Sequence, residues 1–346
     1  MRLNESQLEA INTYAMKAIV MSGAGSGKTT VIAERIRVLL DRGVDPKDIV
    51  AITFTNMATQ ELSKRIDNKD VFISTIHGYC NRLLNWGGVD TSDLIHEEKF
   101  DKLFELIKEH TDCLRPVKYL IIDEAHDTDT NQFYFLFEMV KPESWFMCAD
   151  LKQTIYEWRG ACPDYIVDLL ADPDVEVYRL KYNYRNGKNI LDFAKSIIHG
   201  LRKQKYRDNT IPQNPNDGIV EIRNWSFDND DAVIELVSQI KGSGSYKDWF
   251  VLARTNAQVE AFAKIFRAWD IPFFSFKQSQ LTFDELSDEM EKDQVILITI
   301  HSSKGLERDN VVVFGAKNWS DEEVRLAYVA ATRAKSKLIW LKGGKR

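Results

Sequence analysis

The sequence predicts an α/β protein of two domains, each a mostly parallel sheet flanked by helices. Three observations carry this. Short β-branched apolar runs alternate with amphipathic stretches along the whole chain, and strand–helix alternation builds parallel sheets covered on both faces. A Gly-rich turn joins the first such run to a helical stretch. The 346 residues suit about two domains of ordinary size.

Taken in order, residues 18–21 form a short buried strand bounded by the Gly-rich turn. A helix follows over 29–40, with Val31, Ile32, Ile36, Leu39 and Leu40 on one face and Gly43 and Pro46 ending it. A strand is predicted over 49–54, a helix over 56–66, and strands over 71–76, 117–122 and 145–148. The second half repeats the style, with strands over 219–222, 249–253, 295–300, 311–314 and 338–341 and helices over 231–240, 257–269 and 322–334. The predicted domains are 1–181 and 182–346. Residues 203–218, with Lys203, Lys205, Arg207, Pro212 and Pro215, read as a loop, and 242–245 as a short flexible connection.

Hydrophobic residues at 44% and charged residues at 28% exclude a disordered or collagen-like chain. No apolar run reaches the roughly 18–20 residues of a membrane span, and the N-terminus has no signal pattern. Cys80, Cys113, Cys148 and Cys162 form no CxxC pair and read as reduced thiols of a cytoplasmic protein. The net charge is −6 but uneven: residues 1–181 hold 21 Lys+Arg against 30 Asp+Glu, whereas 182–346 hold 25 against 22. A local basic or aromatic groove can bind nucleic acid on such a chain.

Gly23-Ala24-Gly25-Ser26-Gly27-Lys28-Thr29 is a complete P-loop between a predicted strand and a predicted helix. Its glycines let successive N–H groups face a phosphate, and the helix N-terminus adds partial positive charge. Lys28 would neutralise the β/γ-phosphates of ATP, and the Thr29 hydroxyl would bind Mg²⁺. The apolar run 120–122 delivers Asp123 and Glu124. Asp123 suits Mg²⁺, and Glu124 suits proton acceptance from an attacking water. A nucleoside triphosphatase is the reading at this point.

Further pieces follow in a fixed order: residues 3–7, 53–56, 74–78, 123–127, 153–161, 183–185, 301–307 and 327–334. With the P-loop, these resemble the UvrD/Rep/PcrA group of superfamily 1 DNA helicases. The resemblance implies two RecA-like P-loop NTPase domains with ATP in the cleft between them. It implies that Gln7 reads adenine, with Thr30 beside it, and that Tyr184 stacks on the base. Arg185 and Arg333 would reach the γ-phosphate, Gln153 would sense it, and Gly305 and Glu307 would lie near the ribose or phosphates. Phe54, His77, Tyr156 and Trp158 would contact bases of single-stranded DNA, while Thr55, Asn56, Arg254, His301 and Ser302 would grip its phosphates. The implied activity is ATP-driven 3′→5′ translocation or unwinding by a monomer in a bacterial or phage-infected cell, with an accessory replication or repair protein as a further partner.

Three residues depart from the pattern: Thr30 where many relatives carry Arg, Met57 where Lys often follows, and His126 where Gln is usual. Relatives are about twice as long. Only the acidic, helical stretch 85–116 and the stretch 274–293 stand where their accessory insertions lie, and no strand-separating hairpin follows Arg333. Weak unwinding by the isolated chain is therefore expected. Two other readings stay open: an ATP-gated single-strand-binding or partner-recruiting module, and an RNA-directed motor, since stacking and phosphate contacts read the sugar poorly.

Overall fold

The computed structural model describes residues 3–201, 208–275, 283–316 and 320–343. Lys203, Lys205, Arg207, residues 276–282 and the last three residues, which the sequence reading had touched, lie outside the described residues. The chain divides into two compact units: residues 1–22 with 27–181, and residues 23–26 with 182–346.

In the first unit, helix α1 (Glu5–Ile11) precedes strand β1 (Lys17–Met21), which leads to α2 (Lys28–Asp41). Then come β2 (Ile49–Thr53), α3 (Asn56–Ile66), β3 (Phe72–Thr75), α4 (Ile76–Trp86), α5 (Ser92–His96) and α6 (Lys102–Glu109). Strand β4 (Tyr119–Ile122), α7 (Thr130–Tyr134), β5 (Ser144–Ala149), α8 (Pro163–Ala171) and β6 (Glu176–Arg179) complete it. The six strands pair in the order β3-β2-β4-β5-β1-β6, all parallel. Strands β2 and β5 are buried at every position, as inner strands of a doubly covered sheet must be. Ile36, Leu39, Leu62, Ile121 and Phe146 pack in its core.

Because every strand runs the same way, the loops after their C-terminal ends gather at one edge, where open α/β sheets bind ligands. The P-loop follows β1, Thr55 follows β2, His77 follows β3, Asp123 follows β4 and Gln153 follows β5. The predicted strand 71–76 stops one residue early. The Thr75 hydroxyl accepts from the Gly78 N–H and caps a helix there, so His77 lies in the first turn of α4.

In the second unit, β7 (Tyr182–Asn183), α9 (Lys188–Ile198), β8 (Ile211–Pro212), β9 (Ile219–Trp225), α10 (Asp230–Gly242), β10 (Trp249–Ala253) and α11 (Asn256–Ala268) appear in turn. Strand β11 (Phe273–Ser275), α12 (Phe283–Glu291), β12 (Val295–Thr299), β13 (Arg308–Phe314), α13 (Asp321–Ala331) and β14 (Ala334–Gly343) follow. The main sheet runs β11-β12-β10-β13-β14-β9 and is again parallel throughout. Leu236, Trp249, Phe262, Phe266, Val312 and Ile339 lie in its core.

Two sequence expectations change here. The helix over 322–334 ends at Ala331, and β14 begins at Ala334, four residues before the apolar run that signalled it. The predicted loop 203–218 contains β8, which pairs with β7.

Candidate nucleotide and nucleic-acid sites

The P-loop owes its shape to glycine where the backbone is left-handed. Gly27 has φ +85°, and a Cβ there would lie 2.9 Å from Gln7 Nε2. Gly27 also occupies the N-cap of α2 without a side-chain cap, which leaves the first helical N–H groups facing outward for an anion. Gln7 is held by a reciprocal cap: the Gln7 N–H donates to Asn4 Oδ1 at 3.0 Å, and the Asn4 N–H donates to Gln7 Oε1 at 3.1 Å. The predicted adenine reader is therefore buried and set against the loop it should serve. Thr30 accepts from Arg65 at 3.4 Å.

Four predicted residues converge at the C-terminal ends of β1 and β4. The Thr29 hydroxyl lies 3.5 Å from Asp123 Oδ2. Lys28 Nζ lies 3.8 Å from Glu124 Oε1. The Glu124 N–H donates to Asp123 Oδ1 at 2.9 Å, and Glu124 adopts a left-handed φ of 51°. Burial, together with Glu124, pushes the Asp123 carboxyl up to about 7, against the pull of Lys28. Glu124 Oε2 is buried with no hydrogen-bond partner among the described residues. Among the described residues no group of three or more His, Cys, Asp or Glu side chains is arranged to hold a metal ion. Thr29 and Asp123 together still offer the hard oxygen donors that Mg²⁺ takes alongside phosphate oxygens and water.

His126 explains itself in the structure. It is fully buried. Its Nδ1 accepts from the Asp150 N–H at 3.0 Å, so in the neutral ring Nε2 carries the proton. That nitrogen faces Glu124 Oε2 at 3.4 Å. The histidine thus links the loop after β4 to the loop after β5. In the latter, Gln153 Nε2 donates to Asp150 Oδ2 at 2.6 Å, and Lys152 Nζ lies 2.8 Å from Asp150 Oδ1 and 3.3 Å from the Ser22 carbonyl. Lys152 and Asp150 escaped sequence reading because the contacts that tie them to Ser22 and His126 join segments far apart in the chain.

The predicted base-contacting residues separate into two kinds. Phe54 and Tyr156 stack on each other with centroids 5.0 Å apart, and Tyr156 is buried. Trp158 is 62% exposed, with the Arg159 guanidinium 4.9 Å from its ring centre. A cavity of about 420 Å³ is lined by Phe54, His77, Phe100, Asp101, Tyr156 and Arg159 among others. His77 lies between aromatic rings, 5.7 Å from Phe100 and 5.2 Å from Phe104, and 3.9 Å from Asp101. Burial lowers its pKa, with Asp101 and Asp129 opposing. Thr55 and Asn56 open α3, where the Thr55 hydroxyl accepts from the Ala58 N–H at 3.1 Å.

In the second unit, Asn183 is the organiser. Its Nδ2 donates to the Ala24 carbonyl at 2.7 Å and to Asn186 at 2.9 Å, and the Tyr184 N–H donates to the Gly25 carbonyl at 2.9 Å. Arg185 pairs with Glu307, which also meets Lys335 Nζ at 3.0 Å. Burial would raise the Glu307 carboxyl, but Arg185 and Lys335 outweigh it and hold the group at about 2. Arg333 is buried, with Nε donating to Val329 O at 3.0 Å and Nη1 to Leu306 O at 3.2 Å. Arg254 forks onto Glu323 at 2.7–3.2 Å. Ser302 bonds Thr299 at 2.9 Å, His301 begins the turn after β12, and Gly305 takes φ +87°. The sequence had no signal for Glu323 or Asn186.

Comparison with known proteins gives matches along nearly the whole chain. The UvrD/REP helicase N-terminal domain matches residues 3–115 and 87–174. The UvrD-like helicase C-terminal domain matches residues 178–283 and 275–342. The ATP-dependent DNA helicase PcrA of Bacillus subtilis (strain 168) is 27% identical over 358 residues, covering 74% of this chain and 48% of that protein. PcrA of Staphylococcus epidermidis is 25% identical over 368 residues, covering 78% and 50%. A probable DNA helicase II homolog of Mycoplasma capricolum subsp. capricolum is 25% identical over 371 residues, covering 78% and 51%. The chain spans about half the length of these relatives.

Proposed function

Because the chain belongs to the UvrD/Rep helicase family, we propose that it is an ATP-dependent translocase or helicase acting on single-stranded DNA, with motor domains 1–181 and 182–346. The observation that carries this is the meeting of Lys28, Thr29, Asp123 and Glu124 at the edge where the parallel strands of one sheet end.

In this reading Lys28 and the first N–H groups of α2 hold the triphosphate. Thr29 and Asp123 hold Mg²⁺, which when bound neutralises phosphate charge. Glu124 receives the proton of the attacking water, with the His126 ring 3.4 Å from its second oxygen. Gln7 reads adenine and Tyr184 stacks on it; Thr30, Gly305 and Glu307 flank the nucleotide. Arg185 and Arg333 stabilise the γ-phosphate, and for Arg185 this requires exchange of Glu307 for phosphate. Gln153 responds to the γ-phosphate through its bond to Asp150.

Trp158, Phe54, His77 and Tyr156 form the base-contacting surface, with Trp158 as the exposed platform. Thr55, Asn56, His301 and Ser302 contact phosphates, joined by Arg254 once it leaves Glu323. Every base offers a π-face, so such a surface is indifferent to sequence, as a motor requires. The relatives' printed names support DNA over RNA as the track, and the resemblance supports 3′→5′ movement by a monomer.

ATP turnover should rise strongly with single-stranded DNA and vanish in Lys28→Ala. Full-rate turnover without any strand would contradict the motor. Displacement of streptavidin from a biotinylated strand end distinguishes stepping from an ATP-gated clamp, and placing the block at either end reads the direction. Equal stimulation by RNA of the same sequence would reassign the track.

A further inference from the structure

A groove of about 910 Å³ opens on the first unit beside β3, the edge strand of its sheet. It lies between the C-terminal end of α3 and the second half of α4. Lys47 precedes β2 and residues 67–71 precede β3, so the groove sits at the N-terminal ends of the strands. The P-loop, His77, Asp123 and Gln153 follow the C-terminal ends. The groove and the proposed nucleotide site therefore occupy opposite edges of one sheet.

Its lining runs against the charge of its surroundings. Residues 1–181 carry 30 acidic against 21 basic side chains. The groove reverses that ratio, setting Lys47, Lys64, Lys69 and Arg82 against Asp67 and Asp70. All four cations are exposed. The groove also holds an aromatic platform. Trp86 is 51% exposed, packs beside Phe72 with centroids 6.0 Å apart, and has the Arg82 guanidinium 5.0 Å from its ring centre. Spread cations beside an exposed ring match a chain of phosphates carrying planar bases. A free nucleotide would need its charge met at one point, and an apolar peptide would gain nothing from the four cations.

We infer that this groove is a second contact for single-stranded nucleic acid, with Lys47, Lys64, Lys69 and Arg82 on phosphates and Trp86 stacked on a base. It engages the part of the strand that extends beyond the surface around Trp158. The inference rests on the reading that the chain binds single strands, and the test separates the two.

The probe is an oligonucleotide of about 30 residues carrying 5-iodouracil at staggered positions, long enough for two contacts of ~4–16 nucleotides each. It is photo-cross-linked to the full chain, and the modified peptides are mapped by mass spectrometry. Cross-links are expected at Trp158 and, separately, at Trp86. In parallel, K69E/R82E should bind the long strand roughly tenfold more weakly, with a salt slope shallower by about 1.4, or ~0.7 for each lost phosphate contact. Binding of a strand of about 8 nucleotides and its stimulation of ATP turnover should stay unchanged, which also reports that the variant is folded.

Cross-links confined to the Trp158 surface, or equal affinity of wild type and variant for the long strand, would overturn the inference and leave the motor reading standing. Failure of wild type to bind or cross-link any strand would remove that reading and the inference with it. Protection of Trp86 by a poly-glutamate peptide but not by the strand would assign the groove to an acidic protein segment and overturn the inference as well.

Discussion

His126 bridges the loop that carries the carboxylate of the proposed chemistry and a second loop: its Nδ1 accepts from the Asp150 N–H, and its Nε2 lies 3.4 Å from Glu124 Oε2. Removing the ring would orphan the buried Asp150 N–H, a loss of about 1–3 kcal/mol. We expect His126→Ala to lower kcat with little change in KM for ATP. We expect His126→Gln to retain most activity, because an amide offers both an acceptor and a donor. Equal losses in the two variants would show that the ring fills space and does not position Glu124. Residues of this kind mark the limit of reading a sequence. The convergence of Lys28, Thr29 and Asp123 was legible because the P-loop and the carboxylate pair after β4 carry residue types at fixed spacing, and parallel strands bring those loops to one edge. Asn183 and Lys152 were not legible in their roles, since each bonds a carbonyl more than a hundred residues away. Arg254 shows the converse: its charge was read as a phosphate grip, but its fork is held by Glu323, which no local pattern announces.

At the scale of elements, α1 packs Ala10 and Ile11 into the core of the unit, and a buried arginine ties down its C-terminal end. Arg35, on α2, donates through Nη1 to the Ile11 carbonyl at 2.9 Å and to the Thr13 carbonyl at 2.7 Å. These carbonyls close the C-terminal end of α1, which has no basic residue in its last turn. Burial lowers the Arg35 pKa to about 10, and the group remains charged at neutral pH. Arg35→Met should cost about 1.5–3 kcal/mol in urea unfolding, since the Ile11 carbonyl loses its charged donor while the Thr13 carbonyl keeps Arg42 Nη1 at 3.1 Å. A loss within about 0.5 kcal/mol would mean that water replaces the guanidinium. Inner strands such as Ile49–Thr53 were plain in the sequence because burial on both faces requires continuous apolar residues. The edge strand Glu176–Arg179 was not, because one side of an edge strand is free to be polar.

At the scale of the molecule, each unit has its own parallel sheet and its own apolar core. Cores of this kind should not melt as one cooperative block. Calorimetry is expected to give a calorimetric enthalpy larger than the van't Hoff enthalpy, and a ratio of one would contradict this. The division into two α/β halves was legible from length and strand–helix alternation, whereas the regrouping of residues 23–26 with the second half was not. The left-handed backbone at Glu124 has a consequence on a longer timescale. An L-residue held there costs about 1–2 kcal/mol, a cost that glycine escapes and asparagine lessens. Neither can accept a proton as a carboxylate does. Under selection for thermal tolerance alone, position 124 should therefore drift toward glycine or asparagine, and a retained glutamate in a laboratory lineage would record that turnover, not endurance, was being selected.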